Sequence, residues 1–154
     1  MLTRLARVRR AIGLGAKPHA SCAIRHVDAG SCNGCEHELV AVNGPHYDLQ
    51  RYGFAITASP RHADVLLVSG PVTTRMLPGL LRAYESMPEP RLVAALGDCP
   101  LGGGVMAHPD EVAGPLESVL PVDIRIPGCP PTPEEIAEGL LAGLGALPRE
   151  RRPW

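Results

Sequence analysis

The sequence predicts an α/β protein, a three-layer sandwich in which a parallel β-sheet lies between two layers of helices. Two observations support this prediction. Strand-like segments alternate with helix-like segments along the chain, as in βαβ units. The predicted strand at 64–69 also has a continuous apolar run at its centre, Val65-Leu66-Leu67-Val68, which is typical of a strand buried on both faces of a parallel sheet.

Length and composition indicate one folded domain that is rich in loops. The chain has 154 residues, of which glycine and proline contribute 17 each. A formal net charge of −1 and an aromatic content of 3% argue against a nucleic-acid partner. No run approaches the roughly 18 apolar residues of a membrane span. We divide the chain into an N-terminal arm at 1–20, an α/β domain at 21–148 and a tail at 149–154.

The N-terminal arm is basic and amphipathic. It carries five basic side chains and no acid, and apolar residues recur at helical spacing from Leu2 to Ile12. Arg9-Arg10 resembles the start of a twin-arginine export signal, but the apolar run that follows is too short for one. We expect this arm to be a frayed end or to dock on a partner or a membrane surface.

The first half of the domain is predicted to form three strands and one helix. The strands lie at 23–28, 53–58 and 64–69. The helix lies at 36–42 and ends at Asn43-Gly44-Pro45.

The second half is predicted to form two helices and two strands. A helix at 74–87 has one apolar stripe, and strands follow at 91–96 and 122–126. The stripe consists of Met76, Leu77, Leu80, Leu81, Tyr84 and Met87. The last helix has the clearest start, because Thr132 and Glu135 form a capping box around Pro133 at the first helical position. Its apolar face consists of Ile136, Leu140, Leu141, Leu144 and Leu147.

Four cysteines each follow a predicted strand. Cys32 and Cys35 come after the first strand, Cys99 after the fourth and Cys129 after the fifth. Parallel strands place their carboxyl ends at one edge of the sheet, and this edge is where such folds bind ligands. We therefore expect the four thiols to converge there.

Four thiolates suit either an iron–sulfur cluster or a structural zinc ion. Zinc ribbons usually pair two Cys-x-x-Cys motifs, whereas here one motif is followed by single cysteines after 63 and then 29 intervening residues. The loops around the cysteines consist largely of glycine and proline, and small residues let the backbone approach a bulky cluster and direct N–H groups at its sulfurs. This composition favours the cluster over zinc. A thioredoxin-like dithiol formed by Cys32 and Cys35 alone is a third interpretation.

Several motifs, taken in order, resemble one superfamily. They are Ser31-Cys32-Asn33-Gly34-Cys35 with Glu38, Ser59-Pro60-Arg61 with Ala63-Asp64, Thr73 to Met76, Met87-Pro88-Glu89-Pro90, the Cys99 loop with its glycines, and Pro121-Val122-Asp123 through Pro127-Gly128-Cys129-Pro130-Pro131-Thr132. The superfamily comprises the 20 kDa (B) subunit of respiratory NADH–quinone oxidoreductase and the small subunits of nickel–iron hydrogenases. The resemblance covers residues 23–145.

The resemblance implies a flavodoxin-like domain with one 4Fe–4S cluster, held at the carboxyl edge of the strands by Cys32, Cys35, Cys99 and Cys129. The separated pair Cys32-x-x-Cys35 is similar to membrane-bound hydrogenases and to the formate hydrogenlyase small subunit, whereas the quinone-linked branch has two adjacent cysteines. The implied function is that of one subunit of an oxidoreductase, and this subunit alone is expected to be catalytically silent. It relays electrons between the nickel–iron site of a large subunit and a ferredoxin-like iron–sulfur subunit.

The same resemblance implies a place in the cell, and two competing functions remain open. The chain is expected to be cytoplasmic and peripheral on the inner face of the cell membrane, held there by membrane subunits of its complex. One competing function is the B subunit of a quinone-reducing NADH dehydrogenase, which the cysteine spacing disfavours. The other belongs to a different class of function, that of a zinc-stabilised structural or assembly protein without a role in electron transfer.

Four side chains near the motifs have more than one interpretation. Glu38, by resemblance, is a candidate for a proton path or for ordering the cluster loop, against an ordinary solvated acid. Arg61 is a candidate for setting the electrostatics of the cluster, against an arginine paired to Asp64. His37 is expected at the surface. Cys22 matches no motif and is expected to be a spare thiol.

Overall fold

A computed structural model describes residues 21–104 and 110–146, and these form a five-stranded sheet in which all strands are parallel. The strands are β1 (Cys22–Asp28), β2 (Phe54–Ile56), β3 (Val65–Ser69), β4 (Leu92–Leu96) and β5 (Ile124–Ile126). Their spatial order is β2-β1-β3-β4-β5, which is the flavodoxin-like order. The predicted α/β fold is confirmed. The N-terminal arm, Leu147 and the tail lie outside the described residues.

Helices cover both faces of this sheet. They are α1 (Gly34–Val42), α2 (Leu77–Glu85) and α3 (Pro133–Ala146). Successive side chains of a strand point to opposite faces, so each strand contributes to two cores. Leu67 packs with α1 and α3, which also contact each other, whereas Leu66 packs in a second core with α2. The three-layer arrangement follows, with β3 and β4 fully buried at its centre.

The start of α2 differs from the prediction. The apolar stripe placed the helix from residue 74, but it begins at Leu77. The backbone N–H groups of Thr73 and Thr74 donate instead to the carbonyl oxygens of Ala29 (3.0 Å) and Glu111 (2.9 Å). Because Met76 precedes the helix, it is not held on the buried face and is 40% exposed.

The start of α3 is as predicted. The N–H of Thr132 donates to Glu135 Oε2 at 2.8 Å, and the N–H of Glu135 donates to Thr132 Oγ1 at 3.3 Å. Two glycines of this helix, Gly139 and Gly143, face β5. An added Cβ atom would lie 2.8 Å from Ile126 Cγ1 at the first and 2.5 Å from Ile124 Cγ2 at the second. The helix therefore lies closer to β5 than a larger residue allows.

Among the described residues, no helix combines the length and the apolar character needed to cross a membrane.

Candidate metal centre

A cavity of about 250 Å³ opens at the carboxyl edge of the sheet, and all four predicted ligands line it. The lining residues are Ser31, Cys32, Gly34, Cys35, Gly70, Asp98, Cys99, Gly128, Cys129 and Pro130. They come from the loops that follow β1, β3, β4 and β5. The structure thus brings the four cysteines to one place, while their role as ligands stays a prediction.

The loop after β1 is shaped by side-chain hydrogen bonds to its backbone. Asp28 Oδ1 accepts the N–H groups of Gly30 and Ser31, each at 2.7 Å. Asn33 then takes a left-handed conformation with φ of 69°, immediately before α1 begins. This turn leaves Cys32 exposed and puts Cys35, half-buried, on the first turn of the helix.

Glycines make room for the sulfur atoms. A Cβ atom at Gly97 would lie 2.7 Å from Cys35 Sγ and 3.2 Å from the carbonyl oxygen of Gly128. A Cβ atom at Gly104 would lie 2.5 Å from Cys99 Sγ. Both glycines have positive φ angles, +87° and +84°, which L side chains rarely adopt. The site is therefore a cradle that larger residues would fill, and this shape fits a bulky thiolate-bound group.

Asp98 ties the loop after β4 to the loop after β5. Its Oδ1 accepts the N–H of Gly128 at 2.7 Å, and its own N–H donates to the carbonyl oxygen of Gly128 at 2.9 Å. The two bonds fix Cys99 and Cys129, the neighbours of these residues, relative to each other. Asp98 was not among the residues predicted from the sequence, where its only signal is the position of an acid beside a cysteine in a strand-end loop.

The thiols are close enough to affect one another electrostatically. Burial raises the pKa of Cys35 to about 12, and the negative charges of Glu36, Cys99, Cys32 and Cys129 contribute in the same direction. Four thiolates therefore need a positive centre between them. Within the described parts of the chain, no three His, Cys, Asp or Glu side chains are arranged tightly enough to hold a single metal ion.

The other candidate residues lie outside the cavity lining. Glu38 is on α1 and partly exposed, and Arg61 is exposed in the short 3₁₀ turn Pro60–His62 that precedes β3. Asp64, which we considered as a partner for Arg61, accepts the N–H of Ala23 at 2.7 Å. His37 is exposed, as expected. Cys22 is buried at the start of β1, at the opposite end of the strand from the cavity.

A parallel sheet in flavodoxin-like order with a four-cysteine cavity at its carboxyl edge defines the class of this protein, an α/β domain with a thiol-lined site at the strand ends. Residues 32–143 match the family of the 20 kDa subunit of NADH ubiquinone oxidoreductase. The chain belongs to this family.

Similar proteins include a hydrogenase subunit and a formate hydrogenlyase subunit. The probable membrane-bound hydrogenase subunit mbhJ of Pyrococcus furiosus is 47% identical over 122 residues, which cover 79% of this chain and 73% of the relative. Formate hydrogenlyase subunit 7 of Escherichia coli is 42% identical over 127 residues, 82% of this chain and 50% of that protein. The present chain thus spans only half the length of the second relative.

Solved structures show the same fold. A chain of the membrane-bound sulfane sulfur reductase, an archaeal respiratory membrane complex, superposes with a TM-score of 0.71 and 34% identity, covering 82% of this chain and 70% of that chain. A chain of an NAD⁺-reducing [NiFe]-hydrogenase superposes with a TM-score of 0.61 and 22% identity, covering 80% and 92%. The second likeness concerns the fold alone.

Proposed function

We propose that this protein is an electron-transfer subunit that carries one 4Fe–4S cluster in a membrane-associated complex of the hydrogenase type. The observation that carries the proposal is one cavity lined by four cysteines from the tips of three strands. Membership of the 20 kDa subunit family and the similarity to hydrogenase subunits support it.

The size of the cysteine-lined cavity favours a cluster over zinc. Zinc binds sulfur at about 2.3 Å in a tetrahedron, so four zinc ligands bring their sulfur atoms to about 3.8 Å from one another. Here the four cysteines line one cavity of about 250 Å³. A 4Fe–4S cluster binds each thiolate through a different iron, so it accommodates a wider arrangement.

The residues of this chain would bind the cluster and adjust its properties. When bound, the cluster supplies one-electron redox chemistry, within a range of about −700 to +450 mV for such centres. Cys32, Cys35, Cys99 and Cys129 would hold the irons. Asp98 fixes the separation of the two loops that carry Cys99 and Cys129, and the glycines bring backbone close to the sulfurs.

The exposure of Cys32 and Cys129 indicates where partners would bind. A cluster on these ligands would face solvent on one side, and a large subunit seated there would exclude water. In the proposed complex this subunit carries the nickel–iron site, a ferredoxin-like iron–sulfur subunit takes or supplies the electron, and membrane subunits anchor the assembly.

A second candidate differs in the partner's chemistry. The 34% identity to a chain of the sulfane sulfur reductase complex supports, as this second candidate, the same electron relay coupled to sulfur chemistry. Two Cys-x-x-Cys nickel pairs in the purified partner, together with hydrogen uptake by the complex, would decide for the hydrogenase. Their absence, with sulfur reduction by the complex, would decide for the second candidate.

The test of the proposal is iron and sulfide analysis of the full chain purified without oxygen. We expect about four irons and four sulfides per chain, with the EPR signal of a reduced 4Fe–4S cluster. Cys99→Ala should lose the cluster as completely as Cys32→Ala does, whereas the control Cys22→Ala should keep it. A colourless protein with one bound zinc would contradict the proposal, and an unchanged EPR signal in Cys99→Ala would remove that residue from the ligand set.

A further inference from the structure

A chain of hydrogen bonds runs from β1 to the peptide between the first two cysteines. Ser69, at the end of β3, is the one polar side chain that is fully buried in the described parts of the chain. Its hydroxyl contacts His26 Nε2 at 2.8 Å and forms a short hydrogen bond to Glu36 Oε1. Ser31 Oγ donates to Glu36 Oε2 at 2.7 Å and accepts the N–H of Asn33 at 3.1 Å.

The direction of each bond follows from the acceptor at its centre. A carboxylate only accepts hydrogen bonds, so both serine hydroxyls donate to Glu36. Ser69 Oγ then has its lone pairs free for His26, which must donate from Nε2. Burial lowers the pKa of His26, although the negative charges of Glu36 and Asp28 oppose this shift. A neutral imidazole with its proton on Nε2 satisfies every bond in the chain.

We propose that His26 is a positioning residue for the cysteine loop: through Ser69 and Glu36 it fixes Ser31 and the peptide between Cys32 and Cys35. The inference rests on the proposed function, because the object that this loop receives is the cluster. Glu36 follows Cys35 directly, so its carboxylate is a negative charge beside the cavity, and the chain fixes how far from the cluster it lies. A fixed negative charge beside the cluster disfavours the added electron.

The alternative is that His26 is only a satisfied, partly buried histidine. In that case its loss changes stability but leaves the loop geometry and the reduction potential alone. Geometry favours the positioning role, because the hydrogen bonds that begin at His26 lead through Ser69 and Glu36 to the cysteine loop. Glu36 Oε1 is itself only 3.5 Å from His26 Nε2.

The experiment compares four variants of the full chain, loaded with iron and sulfide without oxygen. His26→Phe removes the hydrogen bond between His26 and Ser69, and Ser69→Ala also removes the one between Ser69 and Glu36. His26→Gln keeps a donor at the place of Nε2. Val42→Ala is the control for a general loss of stability, because Val42 is buried on α1 and takes no part in the chain of hydrogen bonds. The readouts are the midpoint potential, the EPR line shape, and the alkylation rate of Cys32 in the cluster-free protein.

In His26→Phe and Ser69→Ala the carboxylate of Glu36 is held less firmly and can move towards solvent, so we expect a higher midpoint potential. A tenfold change in the one-electron equilibrium constant corresponds to about 59 mV. We also expect broader EPR lines and a several-fold faster alkylation of Cys32. His26→Gln should restore all three readouts towards wild type, and Val42→Ala should change none of them.

The failures of the two proposals are distinguishable. Wild-type protein without iron would contradict the proposed function, and the alkylation rates would still test the chain of hydrogen bonds. Loaded His26→Phe and Ser69→Ala with wild-type potential, line shape and alkylation would overturn the positioning role alone. So would a His26→Gln variant that behaves like His26→Phe. Should His26→Phe fail to fold, Ser69→Ala decides.

Discussion

Cys22 and Cys32 lie near opposite ends of β1 and have opposite environments. Cys32 is exposed beside the cavity, whereas Cys22 is 2% exposed. Burial, and secondarily the charge of Asp64, raise the pKa of the Cys22 thiol above the ordinary value of 9.0. Cys22 is therefore a protonated core residue, which agrees with its lack of a motif.

This environment predicts how stability depends on pH in the cluster-free protein. Above pH 9.0 the unfolded chain releases the Cys22 proton while the folded chain retains it, so the free energy of unfolding falls as pH rises. One such thiol contributes about 1.4 kcal/mol per pH unit. Urea unfolding between pH 9 and 11 should show a shallower decline in Cys22→Ala than in wild type. Cys129→Ala, at an exposed thiol, is the control, and equal slopes in Cys22→Ala and wild type would contradict the prediction.

The residues that could be predicted have signals in their neighbouring sequence, whereas the residues that were missed depend on partners far away in the sequence. The meeting of the four cysteines in one cavity could be predicted because a strand-like segment precedes each of the loops that carry them, and the fold places all such strand ends together. Glu36 and Asp98 could not, because their partners Ser69 and Gly128 lie 33 and 30 residues away. A carboxylate acquires such a role only when two strand ends are already adjacent. The placement of Arg61 before β3 likewise depends on how the chain crosses between strands.

Secondary-structure elements were predictable where one residue pattern decides them. The apolar run of β3 and the capping box of α3 are local, and both elements lie where they were expected. Boundaries set by tertiary contacts were less accurate. Helix α2 starts late because the backbone of Thr73 and Thr74 binds to neighbouring loops.

The contact between α3 and β5 gives a prediction in which helix propensity and packing oppose each other. Alanine has a higher helix propensity than glycine by about 1 kcal/mol. At Gly143, however, the added methyl would lie 2.5 Å from Cγ2 of the buried Ile124, so one of the two must shift within the core. Overpacking of this kind costs about 1–3 kcal/mol, so Gly143→Ala should lower the midpoint of urea unfolding.

Gly79, in the first half of α2, is the matched control because nothing lies within 4 Å of an added Cβ atom there. Gly79→Ala should raise stability by about 0.4–1 kcal/mol, since only the propensity changes. Equal stabilisation by both substitutions would show that α3 sits further from β5 than the structure indicates.

At the scale of the whole molecule, the site joins parts of the chain that are remote in sequence. Cys35 Sγ on α1 lies so close to Gly97, after β4, that a Cβ atom there would be 2.7 Å away. Next to Gly97, Asp98 accepts a hydrogen bond from Gly128 after β5. The β2 edge of the sheet contributes nothing to the cavity lining. A group bound by all four cysteines would therefore link the loops that follow β1, β4 and β5 and leave the β2 side of the sheet unconstrained.

This asymmetry predicts where cluster loading changes local stability. A ligand that binds only the folded state stabilises it, and one that closes three loops at once also suppresses their separate opening. Amide hydrogen exchange should slow together in the loops at 30–35, 97–101 and 127–131 when iron and sulfide are added. Residues 49–56, around β2, serve as the internal control and should exchange at the rate of the cluster-free protein. Slower exchange in the 30–35 loop alone would indicate a metal held only by the Cys-x-x-Cys pair, and the four-cysteine centre would then be wrong.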